Sequence, residues 1–119
     1  MSILNPNEPR VVQRSEGFNY QLLKLDDKQN ESINKIRTDE VKQTTQIRNQ
    51  LREKRAKLET LQTSEKPDMK DINNLIDEIA TLQAQQMKIQ AASRQKIRSL
   101  LNDEQKAFYD AQNTGRSRQ

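Results

Sequence analysis

TSEKPD, residues 63–68, interrupts an otherwise unbroken helical pattern near the middle of the chain. Proline removes a backbone donor and suits the first turn of a new helix, so Pro67 or Asp68 opens one there. Upstream, from Asp26 to about Gln62, there is no proline or glycine. Ile33, Ile36, Ile47, Leu51, Leu58 and Leu61 recur along that stretch at spacings that keep them on one helical face. Downstream, Met69, Ile72, Leu75, Ile76, Ile79, Leu82, Ile97 and Leu100 form a second series. Two long helices around a short turn make an antiparallel hairpin. The expected fold is therefore all-α, a long hairpin with short flanking helices.

Composition agrees with a thin helical structure. Of the 119 residues, 31% are hydrophobic and 3% aromatic, with a mean hydropathy of −1.13. That is too little apolar surface to offset the chain entropy of a compact globule, which leaves disorder or an elongated helical seam. Only two glycines and three prolines, among many Gln, Lys, Glu, Leu and Ile residues, favour helix. Residues 1–16, with Pro6 and Pro9, read as a flexible arm, 17–112 as one helical domain, and 113–119 as a disordered tail.

The turn sets a register. Pairing Leu61 with Met69 makes facing residue numbers sum to about 130. Leu58 then faces Ile72, Leu51 faces Ile79, and Ile47 lies near Leu82. The same rule brings LDDKQ (25–29) opposite LNDEQ (101–105), at the open end of the hairpin. Asp26 and Asn102 are N-cap residues whose side-chain oxygens can accept first-turn N–H groups. Leu25 and Leu101, just before the caps, are placed to staple onto the helices they precede. The second motif restarts a short helix over about 103–112, carrying Ala107, Phe108 and Ala111. That helix would close the end of the hairpin with Phe18 and Leu22, part of a short apolar turn with Tyr20 and Leu23.

Paired motifs of the form Leu-Thr-x-x-Gln around a long helical hairpin mark the Spy/CpxP family, which this sequence resembles over about 18–112. Leu25, Asp26 and Gln29 match one copy, and Leu101, Asn102 and Gln105 the other. Asp26 and Asn102 replace threonine, which keeps the capping chemistry. The resemblance implies a thin, curved, all-helical homodimer in the bacterial periplasm. It also implies an ATP-independent chaperone or envelope-stress modulator that binds unfolded or partner proteins on a helical cradle. Histidine-bearing relatives bind zinc, nickel or cobalt, so a metal-resistance or metal-sensing role is the alternative. A structural coiled-coil adaptor is a further one.

The residue inventory weighs against chemistry at a cofactor. With no histidine and no cysteine there is no imidazole or thiolate for a metal or a nucleophile. Gly17 and Gly115 cannot build a phosphate-cradling loop. Asp77 and Glu78 read as solvated carboxylates, and Met69 and Met87 as packing residues rather than soft-metal ligands. The chain is expected to be a non-enzyme without catalytic, metal or cofactor-binding residues. No apolar run is long enough to span a membrane, and the first residues lack the apolar core of a signal peptide, although membrane proximity fits an envelope protein. Net charge is +4, from 21 basic and 17 acidic residues. The helices lack the aromatic platforms or ordered basic region expected of a nucleic-acid binder.

The cations are sorted by type around the first helix. At about 100° per residue, Arg37, Arg48, Arg52 and Arg55 fall on one flank of the seam, while Lys28, Lys35, Lys42 and Lys57 lie on or beyond the other. Arginine binds carboxylates bidentately and stacks on apolar groups, so this flank is a candidate client or partner surface. A solvated face with pairs such as Arg55–Glu59 is the plainer reading. The register places Asp77 and Glu78 near Arg52 and Lys54, which assigns Arg52 mainly to the fold and leaves Arg37, Arg48 and Arg55 for a partner. Glu40 and Thr44 occupy seam positions opposite Gln86 and Gln90, so the seam is expected to become polar towards the open end.

Overall fold

The computed structural model describes residues 20–117, with side chains described through 113. The arm over 1–16 and Phe18 lie outside the described residues. A 3-10 turn, Tyr20–Leu23, precedes three helices: α1 (Asp27–Gln62), α2 (Met69–Ser99) and α3 (Asp103–Ser117). The protein is all-α, and α1 and α2 pack as an antiparallel hairpin. Two compact units can be distinguished, Ser32–Ser99 and the segments flanking it, up to Glu31 and from Leu100.

The hairpin unit owes its ends to local chemistry. Asp68 caps α2, its Oδ1 accepting from the Lys70 N–H at 2.9 Å and its carbonyl from Ile72 at 3.0 Å. At the end of α1 no glycine is available for a left-handed cap. Hydroxyls substitute: Thr63 Oγ1 donates to the Glu59 carbonyl at 2.9 Å and Ser64 Oγ to the Leu61 carbonyl at 3.1 Å. Each hydroxyl adds a second donor to a carbonyl that its own backbone N–H already reaches, Thr63 N to Glu59 O at 3.1 Å and Ser64 N to Leu61 O at 3.5 Å.

Ile47, Leu51, Leu75, Ile79 and Leu82 form the core of the hairpin, with Leu58, Leu61 and Ile89 packed against it. Truncating Leu51 to alanine in such a core costs about 2–5 kcal/mol. The seam is polar where expected on α1: Thr44 is buried and returns its hydroxyl to the Glu40 carbonyl at 2.9 Å. On α2 the buried polar residue is Ser93, while Gln86 is half-buried and Gln90 exposed.

Two expectations are corrected here. Met69 and Met87 do not pack in the seam; both are exposed, Met87 by 69%. They are out of phase with Ile72, Leu75, Ile79 and Leu82, whose burial fixes the inward face of α2. The expected tail also begins too early, because α3 continues through Ser117 and residues 113–117 are helical. Residues 118–119 lie outside the described residues.

Candidate functional site

The unit outside the hairpin is organised by the two motifs. Asp26 Oδ1 accepts from the Gln29 N–H at 2.7 Å, and Gln29 Oε1 accepts from the Asp26 N–H at 3.0 Å. Asn102 and Gln105 repeat this reciprocal pair at 2.8 and 2.9 Å. Each motif is thus a capping box with glutamine at its third helical position. The leucines do not act as staples, since the residues a turn further on are Asn30 and Lys106. Leu101 is buried and Leu25 half-buried.

The two boxes, 76 positions apart, are joined through their glutamines. Gln29 Nε2 donates to Gln105 Oε1 at 2.9 Å and to the Leu100 carbonyl at 2.8 Å. Gln105 Nε2 donates to the Leu23 carbonyl at 3.0 Å, with Lys24 O at 3.4 Å and Gln29 Oε1 at 3.3 Å also in reach. The pattern approximates a local two-fold, because Leu100 and Lys24 are the residues preceding the two motif leucines. Both amides use donors and acceptors together, which a carboxylate could not do. Among the described residues no buried side-chain polar atom lacks a partner.

Lys24 contributes to this clasp through its backbone. Its φ of 53° lies in the left-handed region, where a non-glycine residue costs about 1 kcal/mol or more. It ends the 3-10 turn, its N–H donating to the Gln21 carbonyl at 3.2 Å. The carbonyls of Leu23 and Lys24 are thereby turned towards Gln105.

In α3 the inward face is set by Gln105. Leu101, Gln105 and Tyr109, four residues apart, are all buried. Phe108, expected inside, is 47% exposed, whereas Tyr109 is only 3% exposed. Ala107 and Ala111 are exposed as well. Reading apolar residues as inward missed this phase; the signal that finds it is the motif glutamine, from which Tyr109 follows one turn later.

The hairpin carries the candidate partner surface. Val41, Met69, Ile76 and Met87 are its exposed large apolar side chains. On α1, Val41 shares a face with Arg37, Arg48, Arg52 and Arg55, about a quarter turn from the buried line of Ile33, Thr44, Ile47 and Leu51. On α2, Met69, Ile76 and Met87 share a face about a quarter turn from the buried line, in the same rotational sense. Equal offsets on antiparallel helices turn to the same side of a hairpin. Arg48, Leu51, Arg52 and Arg55 of α1 indeed line one open notch with Gln86 of α2. Arg37 and Val41 line another with Asn34, Thr38 and Lys42.

The α2 contribution to this face is acid-free from Met69 to Arg98, and on α1 from Ser32 onward Glu59 is its one carboxylate. Arg48 donates to Thr45 Oγ1 at 3.3 Å and Arg52 to Asn49 Oδ1 at 3.0 Å, both neutral neighbours on their own helix. Arg52 therefore does not pair with Asp77 as the register suggested. Glu78 pairs instead with Lys54, Nζ to Oε1 2.7 Å, across the opposite side of the seam. That hydrogen bond, then the Lys54 charge, hold the Glu78 carboxyl below the usual carboxylate range.

No group of three or more metal-ligating side chains occurs among the described residues, in a sequence without histidine or cysteine. No described helix is long and apolar enough to cross a membrane. The donor set does not fit a soft or borderline metal cation. No curated protein and no solved structure gives a significant match. A family model described as heavy-metal resistance, however, matches residues 5–107, most of the length of the chain. The chain belongs to the heavy-metal resistance family.

Proposed function

We propose that this member of the family acts by binding proteins rather than by holding the metal: an ATP-independent chaperone or envelope-stress modulator of the Spy/CpxP type. The observation that carries the reading is the hairpin face that joins Arg37, Arg48, Arg52 and Arg55 to Val41, Met69, Ile76 and Met87. Methionine is unbranched and adaptable, and exposed methionines recur on surfaces that accept many partners. Arginine binds carboxylates in a planar fork and lays its stem along apolar groups. A face built from both suits unfolded, amphipathic segments of varied sequence. Dimerisation and action in the bacterial periplasm belong to the same reading, by the resemblance of the two motifs.

Direct metal ligation is the second reading, favoured by the family description. It would have to use carboxylates and thioethers alone, a weak set for zinc, nickel or copper. Two titrations separate the readings. Protein binding predicts suppressed aggregation of several unrelated clients at near-stoichiometric ratios without ATP, and no calorimetric metal binding tighter than about millimolar. Tight metal binding with no effect on any client would overturn it.

A further inference from the structure

Three arginines line a single notch of the hairpin with no carboxylate among its lining residues. Arg48, Arg52 and Arg55 follow one another at four- and three-residue intervals, about 10 Å in all along one face of α1. Leu51, buried in the core, forms the floor, and Gln86 of α2 forms the far wall. Arg48 and Arg52 are each bonded to a neutral side chain, which leaves most of their five donors available. Among the described residues none of the three forms an ion pair, Glu59 near Arg55 included. Like charges this close repel one another, so the arrangement gains from an anion that all three can share. Its fork-shaped donors match a tetrahedral oxyanion, and the Gln86 amide supplies a neutral donor opposite them.

We infer that Arg48, Arg52, Arg55 and Gln86 form a binding site for a phosphate-like tetrahedral oxyanion. The inference does not rest on protein capture by the wider face. It also gives a chain without histidine or cysteine a direct route to a heavy element, since some of these, arsenic among them, occur in water as oxyanions. The same chemistry is offered by the phosphate of a lipid headgroup.

The test is a nuclear magnetic resonance titration of the full chain at low ionic strength. One arm adds inorganic phosphate, arsenate or sulfate, and the other adds vesicles containing phosphatidic acid or only neutral lipid. Saturable shifts in the low millimolar range or below, at Arg48, Arg52, Arg55 and Gln86, are expected from the divalent ions. The Arg48→Gln, Arg52→Gln, Arg55→Gln triple variant should bind at least tenfold more weakly, and the Lys28→Gln, Lys35→Gln, Lys42→Gln variant within twofold of the parent. A response confined to phosphatidic acid, lost in the arginine variant alone, assigns the site to a lipid headgroup. No saturable response in either arm overturns the inference. So does equal weakening in both variants, which would mean a diffuse counter-ion atmosphere. The three arginines are exposed, so the variants should keep the parent's helical spectrum, and the parent titration alone is decisive if they do not.

Discussion

Gln29 and Gln105, 76 positions apart, bond to each other through their side-chain amides, with Gln29 Nε2 2.9 Å from Gln105 Oε1. Each also closes a capping box at the start of its own helix. The contact therefore ties two helix N-termini together through groups that already serve a local purpose.

A carboxylate can accept the capping bond but cannot donate the cross-links. Gln105→Glu should therefore destabilise the fold by roughly 2–4 kcal/mol at neutral pH, because buried carbonyls lose their donor and a charge is buried among acceptors. Its folded-state pKa would be raised, so the charge part of the penalty is full above that raised value and disappears below the unfolded value of about 4.3. The gap between the denaturant melts of parent and variant should thus narrow in acid. A gap that persists unchanged at low pH would mean that the lost donors, not the charge, dominate.

Asp26→Ala and Asn102→Ala each remove one N-cap, worth about 1 kcal/mol. With the glutamines shared, the double variant should depart from additivity, and a double-mutant cycle measures by how much. Helical circular dichroism should persist while the melting temperature falls. An unchanged melting temperature would deny these residues their capping role.

Tyr109 and Phe108 are adjacent aromatics with opposite fates. Tyr109→Ala should cost roughly 3–5 kcal/mol, as expected for a large buried side chain, and Phe108→Ala well under 1 kcal/mol. Equal costs would contradict the helical phase set by Gln105.

The Lys54–Glu78 pair gives a pH signature. Because the Glu78 carboxyl is held below its usual range, its contribution is present above the unfolded carboxylate pKa and is lost as pH falls through the folded one. Both side chains are substantially exposed, so screening keeps the contribution small. Glu78→Gln should lower the melting temperature slightly at pH 7, less so in high salt, and not at all at pH values below the folded pKa. A difference that grew in acid would reverse the assignment.

The hairpin was legible because its signals are local and redundant. The break at 63–68, the apolar spacing on either side and the two caps all specify the same helices. Lys54 meeting Glu78 agrees with the register deduced from Leu61 and Met69. What escaped the sequence was the direction in which particular side chains face. Met69, Met87 and Phe108 were placed inside because they are apolar, yet their helices are phased by Ile79, Leu82 and Gln105. Hydrophobicity says that a residue can be buried, and only helical phase says whether it is. The two capping boxes were visible as caps, but the amide contact between their glutamines depends on three-dimensional closure that no local pattern encodes. The exposed methionines, once out of the seam, become part of the candidate surface instead.

The central claim is that the arginine face, and not net charge, recruits proteins. It is tested most directly by the affinity for one aggregation-prone client at low salt, where exposed charges are least screened. The triple variant Arg37→Glu, Arg48→Glu, Arg55→Glu is compared with a control of equal charge change outside both notches, Lys28→Glu, Lys35→Glu, Lys57→Glu. The account predicts at least tenfold weaker binding for the arginine variant and little change for the lysine variant, with melting temperatures close to the parent's. Equal losses from both would contradict it, because only a non-specific attraction by the excess positive charge would then remain.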